Sequence, residues 1–212
     1  MIRRKSGYIF SETNGTNSMK WGVTCFFENR RDFAKVLEIA PQFPLSYFEI
    51  RGEQPFFAPE VLSEKELDFF RNIIDRSGLK VTLHSTFYDI NLATINSFLR
   101  KATLECYRRY LDLAGELGAE IMVLHGGLLH RDAVDIPELL KTARRNLVDN
   151  LRSLADYAAG KGVKIGLENS PPNRNHLMIP GWQQQVEILK ATNRPNVGAV
   201  FDVAHAYLHR LD

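Results

Sequence analysis

Five side chains of this 212-residue chain could together do metal chemistry: His84, His125, Glu168, Asp202 and His205. Imidazole nitrogen and carboxylate oxygen are donors that zinc, manganese and cobalt all accept. A divalent cation held by such a set can polarise a carbonyl or hydroxyl oxygen, or activate a bound water. Apart from Asp202 and His205, the five lie far apart in the sequence, so only a fold can gather them. A lone histidine at a strand end is more often a hydrogen-bonded structural residue than a ligand. The weight here comes from finding His, His, Glu and Asp at the ends of four successive apolar segments.

Those segments belong to a regular alternation that begins at Lys20. Short apolar runs over residues 20–24 (KWGVT), 46–50 (SYFEI), 80–84 (KVTLH), 120–125 (EIMVLH), 163–168 (VKIGLE) and 196–202 (NVGAVFD) predict strands. Between them, apolar residues at helical spacing predict helices over residues 30–40, 63–76, 97–117, 137–160 and 181–192. Ser63 followed three residues later by Glu66 is a capping-box signature, and Gly78 is the matching stop. The strands are apolar on both faces, as a parallel sheet covered by helices requires. No glycine-rich phosphate turn follows the first strand, which argues against a dinucleotide fold. In a barrel, every strand end opens onto one face, where active sites form. The fold class is therefore read as α/β, a (β/α)8 TIM barrel with about six of eight βα units in this chain. No linker interrupts residues 19–212, read as one incomplete barrel domain. Residues 1–18, polar and carrying Arg3, Arg4 and Lys5, read as an N-terminal extension that is expected to be disordered.

The formal charge is +2, from 27 basic and 25 acidic residues, with 44% hydrophobic and 25% charged residues, a soluble globular composition. So small a surplus does not argue for a nucleic-acid partner, although a basic groove can sit inside a balanced total. No apolar run reaches the roughly 18 residues of a membrane span, and no apolar stretch follows the basic start as in a secretory signal. Cys25 and Cys106 fit no metal or redox spacing and read as structural thiols of a reducing cytosol, Cys106 as a buried one. A cytoplasmic location is expected.

Four stretches carry a resemblance: His84 to Thr94 (HSTFYDINLAT), Glu116 to Gly127 (ELGAEIMVLHGG), Gly166 to Asn169 (GLEN) and Phe201 to Ala206 (FDVAHA). Together they resemble the xylose-isomerase-like TIM barrel superfamily, which holds sugar-phosphate isomerases and epimerases and the family-2 apurinic endonucleases. The likeness runs from about Met19 to the C-terminus. In isomerase and epimerase members a Glu after the fifth strand, an Asp after the sixth, and a later His and Glu bind one divalent metal; Glu168 and Asp202 match the first two. The resemblance then implies proton exchange between adjacent carbons, with the metal polarising the substrate oxygens. In endonuclease members three zincs cluster. His84, His125 and Glu168 match ligands of the first, with Glu168 bridging to a second; Asp202 matches a ligand of the second and His205 one of the third. There a metal-bound hydroxide would attack a phosphodiester beside an abasic site.

The chain also departs from the pattern. Many relatives have His-Pro-Gly where this chain has His125-Gly126-Gly127. The loop after the third strand, which endonucleases insert into DNA, holds Phe87 and Tyr88 but also Asp89, a carboxylate unhelpful beside phosphates. The later His and Glu are not in the sequence, and a barrel short of two strands exposes two sheet edges, so it is expected to be unstable unless something pairs with them.

Further candidates surround the ligand set. Glu49 and Arg51, closing the second strand, are candidates for substrate contact, against a salt-bridged rim pair. Asn91 is a candidate for substrate contact or for bracing the mouth. Asn169 is a candidate for substrate contact or for orienting Glu168, against a turn residue. His130 and Arg131 read as solvated loop residues, and Trp182 as a cover over the site or a helix cap. The expected function is a metal-dependent sugar or sugar-phosphate isomerase or epimerase, with Glu168 as ligand and acid/base and His84, His125, Asp202 and His205 as ligands of zinc, manganese or cobalt. Its partner would be a small-molecule sugar, with no membrane and with a homo-oligomer left open. The alternatives are a zinc-dependent abasic-site endonuclease, with DNA as partner, and a non-catalytic remnant or binding module.

Overall fold

Each apolar run becomes a strand and each amphipathic run a helix in the computed structural model, which describes residues 19–24 and 30–209, the side chains of 30 and 31 excepted. The expected extension over residues 1–18 lies outside the described residues, as does Cys25. In chain order the elements are β1 (Gly22–Thr24), α1 (Arg30–Ile39), β2 (Tyr47–Arg51), α2 (Glu64–Ser77), β3 (Lys80–His84), α3 (Ser97–Glu116), β4 (Ile121–His125), β5 (Leu128–Leu129), α4 (Pro137–Ala159), β6 (Lys164–Glu168), β7 (His176–Leu177), α5 (Trp182–Thr192), β8 (Val197–Val200) and α6 (Val203–Leu208).

Local signals set the helix ends. Ser63 and Glu66 form the anticipated capping box at the start of α2, and Gly78 closes it in the left-handed conformation at φ 66°. Asn96 caps α3 by accepting from the amides of Phe98 and Leu99 at 2.9 and 3.2 Å. Pro137 opens α4, where its missing N–H has no helical partner to lose. No helix among the described residues is long and apolar enough to cross a membrane.

Six strands form one parallel sheet in the order β1-β2-β3-β4-β6-β8, so every helical crossover joins spatial neighbours. Successive side chains alternate between its faces. One face packs under the helices and forms the core: Phe48, Ile50, Leu83, Met122, Leu124, Ile165 and Leu167 meet Phe33, Leu37, Phe70, Leu111 and Leu151. Phe33 stands edge-on to Phe48 at 5.4 Å between ring centroids. Burying each such side chain stabilises the fold by about 1.5–3 kcal/mol. The opposite face carries Glu49, Arg51, Thr82, His84, His125 and Glu168. Cys106, on α3, is partly buried, short of the buried thiol expected.

Two features differ from the sequence reading. The last strand, expected to run to residue 202, stops at Val200. Asp202 is instead the N-cap of α6, its Oδ1 accepting from the amides of Ala204 and His205 at 2.7 and 2.9 Å. The second is a small antiparallel pair, β5 with β7, which joins the loops after β4 and β6. Each of its strands has two residues, too few for periodicity to reveal. The departure at Gly126-Gly127 has its reason here. A Cβ on Gly126 would lie 2.5 Å from Ile179 Cγ1. Gly127 has φ +79°, and a Cβ there would strike Asn91 Oδ1 and come within 2.9 Å of the Ala93 nitrogen.

The two kinds of glycine separate in a stability measurement. Gly78→Ala meets nothing within 4 Å and carries only the left-handed backbone strain, about 1 kcal/mol. Gly127→Ala adds the collision with Asn91 and is expected to cost about 2–4 kcal/mol. Urea unfolding of the two variants checks this; equal losses would show that the approach of Asn91 is not a constraint.

Candidate metal centre

Strand register sets the site before any side chain is considered. His125 and Glu168 are aligned partners on β4 and β6, and Arg51 is aligned with His84 on β2 and β3. Each of His84, His125 and Glu168 is the last residue of its strand. Asp202 and His205 come from the turn after β8 and the first turn of α6. The five gather around one carboxylate. Glu168 Oε2 is 3.1 Å from His84 Nε2 and 3.5 Å from His125 Nε2, while Oε1 is 3.8 Å from His205 Nδ1. His205 Nε2 is 3.7 Å from Asp202 Oδ2. Two groups of three residues, His84–His125–Glu168 and Glu168–Asp202–His205, each bring one ligand atom per residue within 4.8 Å of the others. Around a tetrahedral cation with bonds of about 2.0 Å, ligand atoms sit about 3.3 Å apart, so the spacing suits a cation with little movement.

Hydrogen bonding behind the rings gives the same answer. His84 Nδ1 is 2.8 Å from the Ser85 carbonyl and His205 Nδ1 is 2.7 Å from the Asn169 carbonyl. A carbonyl only accepts, so both Nδ1 atoms carry the proton. In neutral rings the Nε2 lone pairs then face the carboxylates of Glu168 and Asp202. Lone pair against carboxylate is repulsive, and either a proton on Nε2 or a cation between them relieves it. His125 Nδ1 is held by the Ser170 hydroxyl at 3.2 Å. Each ring is thus oriented from behind, as metal-binding imidazoles usually are, and the donor set fits a divalent cation.

Charge follows from burial. Burial alone would push His84 down, but its bond to Glu168 and the charges of Glu49 and Glu168 outweigh it and raise its pKa. Burial alone would push Glu168 up, yet the hydrogen bond and the charge of His84 lead the interactions that hold it below the usual carboxylate range. His125 is pushed down to about 3, first by burial and then by the other histidines. It is therefore neutral and available as a ligand across ordinary pH. Glu49, 5% exposed, is pushed up to about 7, mainly by burial, with Glu168 adding and His84 opposing.

The other sequence candidates divide. Glu49 and Arg51 lie beside His84 on the same face of the sheet, Arg51 aligned with His84 and Glu49 almost fully buried. Asn91 instead braces the mouth: its amide donates to the Leu128 carbonyl at 2.8 Å and accepts from the Leu128 and Ala93 amides at 3.0 and 2.9 Å. Asn169, fully buried, is engaged in the same way. It exchanges hydrogen bonds of 3.0 and 2.7 Å with the backbone of Asp202, so the residue it orients is Asp202 rather than Glu168. His130 and Arg131 are exposed, Arg131 opening a single 3-10 turn that the His130 side chain caps, and Trp182 opens α5 half-exposed. Sequence reasoning missed Ser170 behind His125, and His209, whose Nε2 is 2.9 Å from the Ser170 carbonyl. It also missed Glu53, 7% exposed, whose two oxygens accept from the Thr86 hydroxyl and the Phe87 amide at 2.7 and 3.2 Å. A glutamate just past a strand that ends in chemistry-bearing residues was the only available signal.

The sequence model of the xylose isomerase-like TIM barrel family matches residues 37–212. An uncharacterised protein of Methanocaldococcus jannaschii is 31% identical over 192 residues, covering 89% of this chain and 61% of its own length. The crystal structure of a D-tagatose 3-epimerase-like protein superposes with a TM-score of 0.73 at 30% identity, over 87% of this chain and 65% of that one. A probable endonuclease 4 of Thermoplasma acidophilum is 25% identical over 170 residues, 80% of this chain and 55% of its own. The chain therefore spans less than two-thirds of the length of each.

The burial of His125 has a measurable consequence in metal-free protein. The unfolded chain takes up a proton there near pH 6.5, the folded chain only near pH 3. The stability involved is complete above pH 6.5 and is lost as pH falls. Relative to His125→Asn, the native protein is expected to lose up to about 1.4 kcal/mol per pH unit between about pH 6.5 and 5. Denaturant titrations across that range read the difference; a constant gap would mean that His125 is not held neutral.

Proposed function

From the premise that this chain belongs to the xylose isomerase-like TIM barrel family, we propose that it is a metal-dependent isomerase or epimerase of a sugar or sugar phosphate. The observation that carries the reading is Glu168: a carboxylate 1% exposed, faced by three imidazoles at the mouth of a parallel sheet and held below the usual carboxylate range chiefly by His84. The likeness to a D-tagatose 3-epimerase-like protein supports a sugar as substrate. In this reading His84, His125, Glu168, Asp202 and His205 hold the cation, which is zinc, manganese or cobalt. When bound, the cation polarises the carbonyl and hydroxyl oxygens of the substrate, which acidifies the neighbouring C–H. Glu168 takes that proton and, in an isomerisation, returns it to the adjacent carbon, whereas an epimerisation needs a second acid on the opposite face. Glu49 and Arg51 bind substrate hydroxyls; near neutral pH the Glu49 carboxyl is poised between donating and accepting.

A second reading, a zinc-dependent endonuclease acting on DNA at abasic sites, has one observation in its favour. The two groups of three residues share Glu168, in keeping with the chain's resemblance to a probable endonuclease 4. Asp89 argues against it, because it places a carboxylate in the loop that would have to approach phosphates.

Incubating the metal-loaded protein with a panel of ketoses in heavy water is expected to place deuterium at the carbon that exchanges its proton. Glu168→Gln should abolish the exchange, a loss of at least about 100-fold, while circular dichroism stays native. Absence of exchange from every ketose with metal bound would overturn the isomerase reading. Nicking of abasic duplex DNA by zinc-loaded protein would put the second reading in its place. Failure to retain zinc, manganese or cobalt through gel filtration would favour a non-catalytic module.

A further inference from the structure

Phe87 is a large apolar side chain that is not part of the core. It is 37% exposed and sits beside the buried His84–His125–Glu168 cluster. Its ring stands edge-on to both first-group histidines, 6.0 Å and 73° from His84 and 5.4 Å and 72° from His125. The Arg51 guanidinium lies 5.8 Å from its centroid. A side chain so placed walls the cation pocket on the side of β2 and β3.

The loop carrying Phe87 starts from a fixed point, Ser85, whose hydroxyl and amide both donate to the Val123 carbonyl at 2.8 and 2.9 Å. Thr86 and Phe87 have no regular secondary structure, and their anchor is Glu53, in the turn after β2. Glu53 Oε2 accepts from the Thr86 hydroxyl at 2.7 Å and Oε1 from the Phe87 amide at 3.2 Å. The Thr86 hydroxyl in turn accepts from the Tyr88 amide at 3.3 Å. The turn itself is tied to β3, because the Gly52 amide donates to the His84 carbonyl at 2.7 Å. A carboxylate that is almost fully buried is costly without such bonds. Loop conformations that withdraw Thr86 and Phe87 from Glu53 are therefore disfavoured, and the ring is fixed against the histidines.

We propose that Phe87 is the wall on which the C–H face of the substrate's carbon chain rests, and that Glu53 is the positioning residue that sets this wall, a proposal that rests on the sugar reading of the site. A ketose has two kinds of surface. Its oxygens suit the cation, Glu49 and Arg51. Its C–H bonds, polarised by the oxygens beside them, can make no hydrogen bond of that strength but are attracted to the electron-rich face of an aromatic ring. With its oxygens directed to the polar groups and its C–H face on Phe87, a ketose is fixed in orientation as well as in place. The wall thereby selects for substrates with a run of C–H bonds on one side.

Phe87→Leu, Glu53→Ala and the double variant test this in the metal-loaded full chain. The visible spectrum of bound cobalt(II) should be unchanged in all three. For the best ketose of the panel, the effect of Phe87→Leu should fall on KM rather than on kcat, with a rise of about fivefold. Glu53→Ala should reproduce that rise, and the double variant should be no worse than either single one, because both remove the same contact. Multiplying effects, or an unchanged KM in Phe87→Leu, would overturn the proposal. Should Glu53→Ala fail to fold, Glu53→Gln keeps one acceptor oxygen and should give an intermediate rise. The ring-proton NMR shifts of His84 and His125 give a readout without substrate: Phe87→Leu and Glu53→Ala should move them alike. If Glu53→Ala leaves them in place, the positioning role is refuted even where ketoses bind. If the shifts move but native protein exchanges no ketose proton, the sugar reading fails and the wall's ligand with it, while Glu53 keeps its role.

Discussion

A carboxylate taken out of water at the end of a parallel sheet must be compensated where it stands, and Glu168 sets that demand on everything around it. Left alone in a low-dielectric mouth, it would cost several kcal/mol. Its compensation comes first from His84, with His125 and His205 turned toward it, and an imidazole helps only when its nitrogens point the right way. The loops have to supply that orientation: the Ser85 carbonyl behind His84, the Ser170 hydroxyl behind His125 and the Asn169 carbonyl behind His205. The backbone course after β3 and β6 is thus dictated by the needs of one side chain. The same chain of demands reaches Asn169, which turns the Asp202 backbone toward the cluster.

The strands keep this cost separate from stability. Alternation sends Phe48, Ile50, Leu83 and Leu167 under the helices, and Glu49, Arg51, His84 and Glu168 to the opposite face. Consecutive residues of one strand therefore serve opposite ends, one burying apolar area and the next concentrating charge. The helix-side layer tolerates the unfavourable electrostatics a residue away because its contacts do not depend on them. The mouth is closed by short devices instead: the β5–β7 pair, the Gly126-Gly127 approach and the Asn91 brace. None adds much burial, but each restricts where a loop can lie.

How much of this the sequence disclosed depended on the range of the signal. The gathering of His84, His125, Glu168 and Asp202 was legible because each ends an apolar run, and in a barrel all strand ends share a face; His205 ends none and followed only from its place three residues past Asp202. Cap chemistry at Ser63, Glu66 and Gly78 was equally plain, being local. The target of Asn169 was not, since adjacency points to Glu168 whereas its hydrogen bonds reach Asp202. The end of β8 was misplaced for a related reason: the apolar run continues through Phe201, but the capping power of Asp202 takes over first. Glu53 stayed invisible because the role of a buried carboxylate depends on which amides come to meet it, and that depends on tertiary structure. Strands as short as β5 and β7 leave no period to read.

Asp202 divides its two oxygens between architecture and chemistry. Oδ1 closes the first turn of α6, while Oδ2 faces the His205 ring carried by that same turn. Inheritance at this position is therefore not graded. An asparagine could keep the helix start and let the charge go, preserving the outline of the centre without its affinity. An alanine would release the turn, and two donors would leave together.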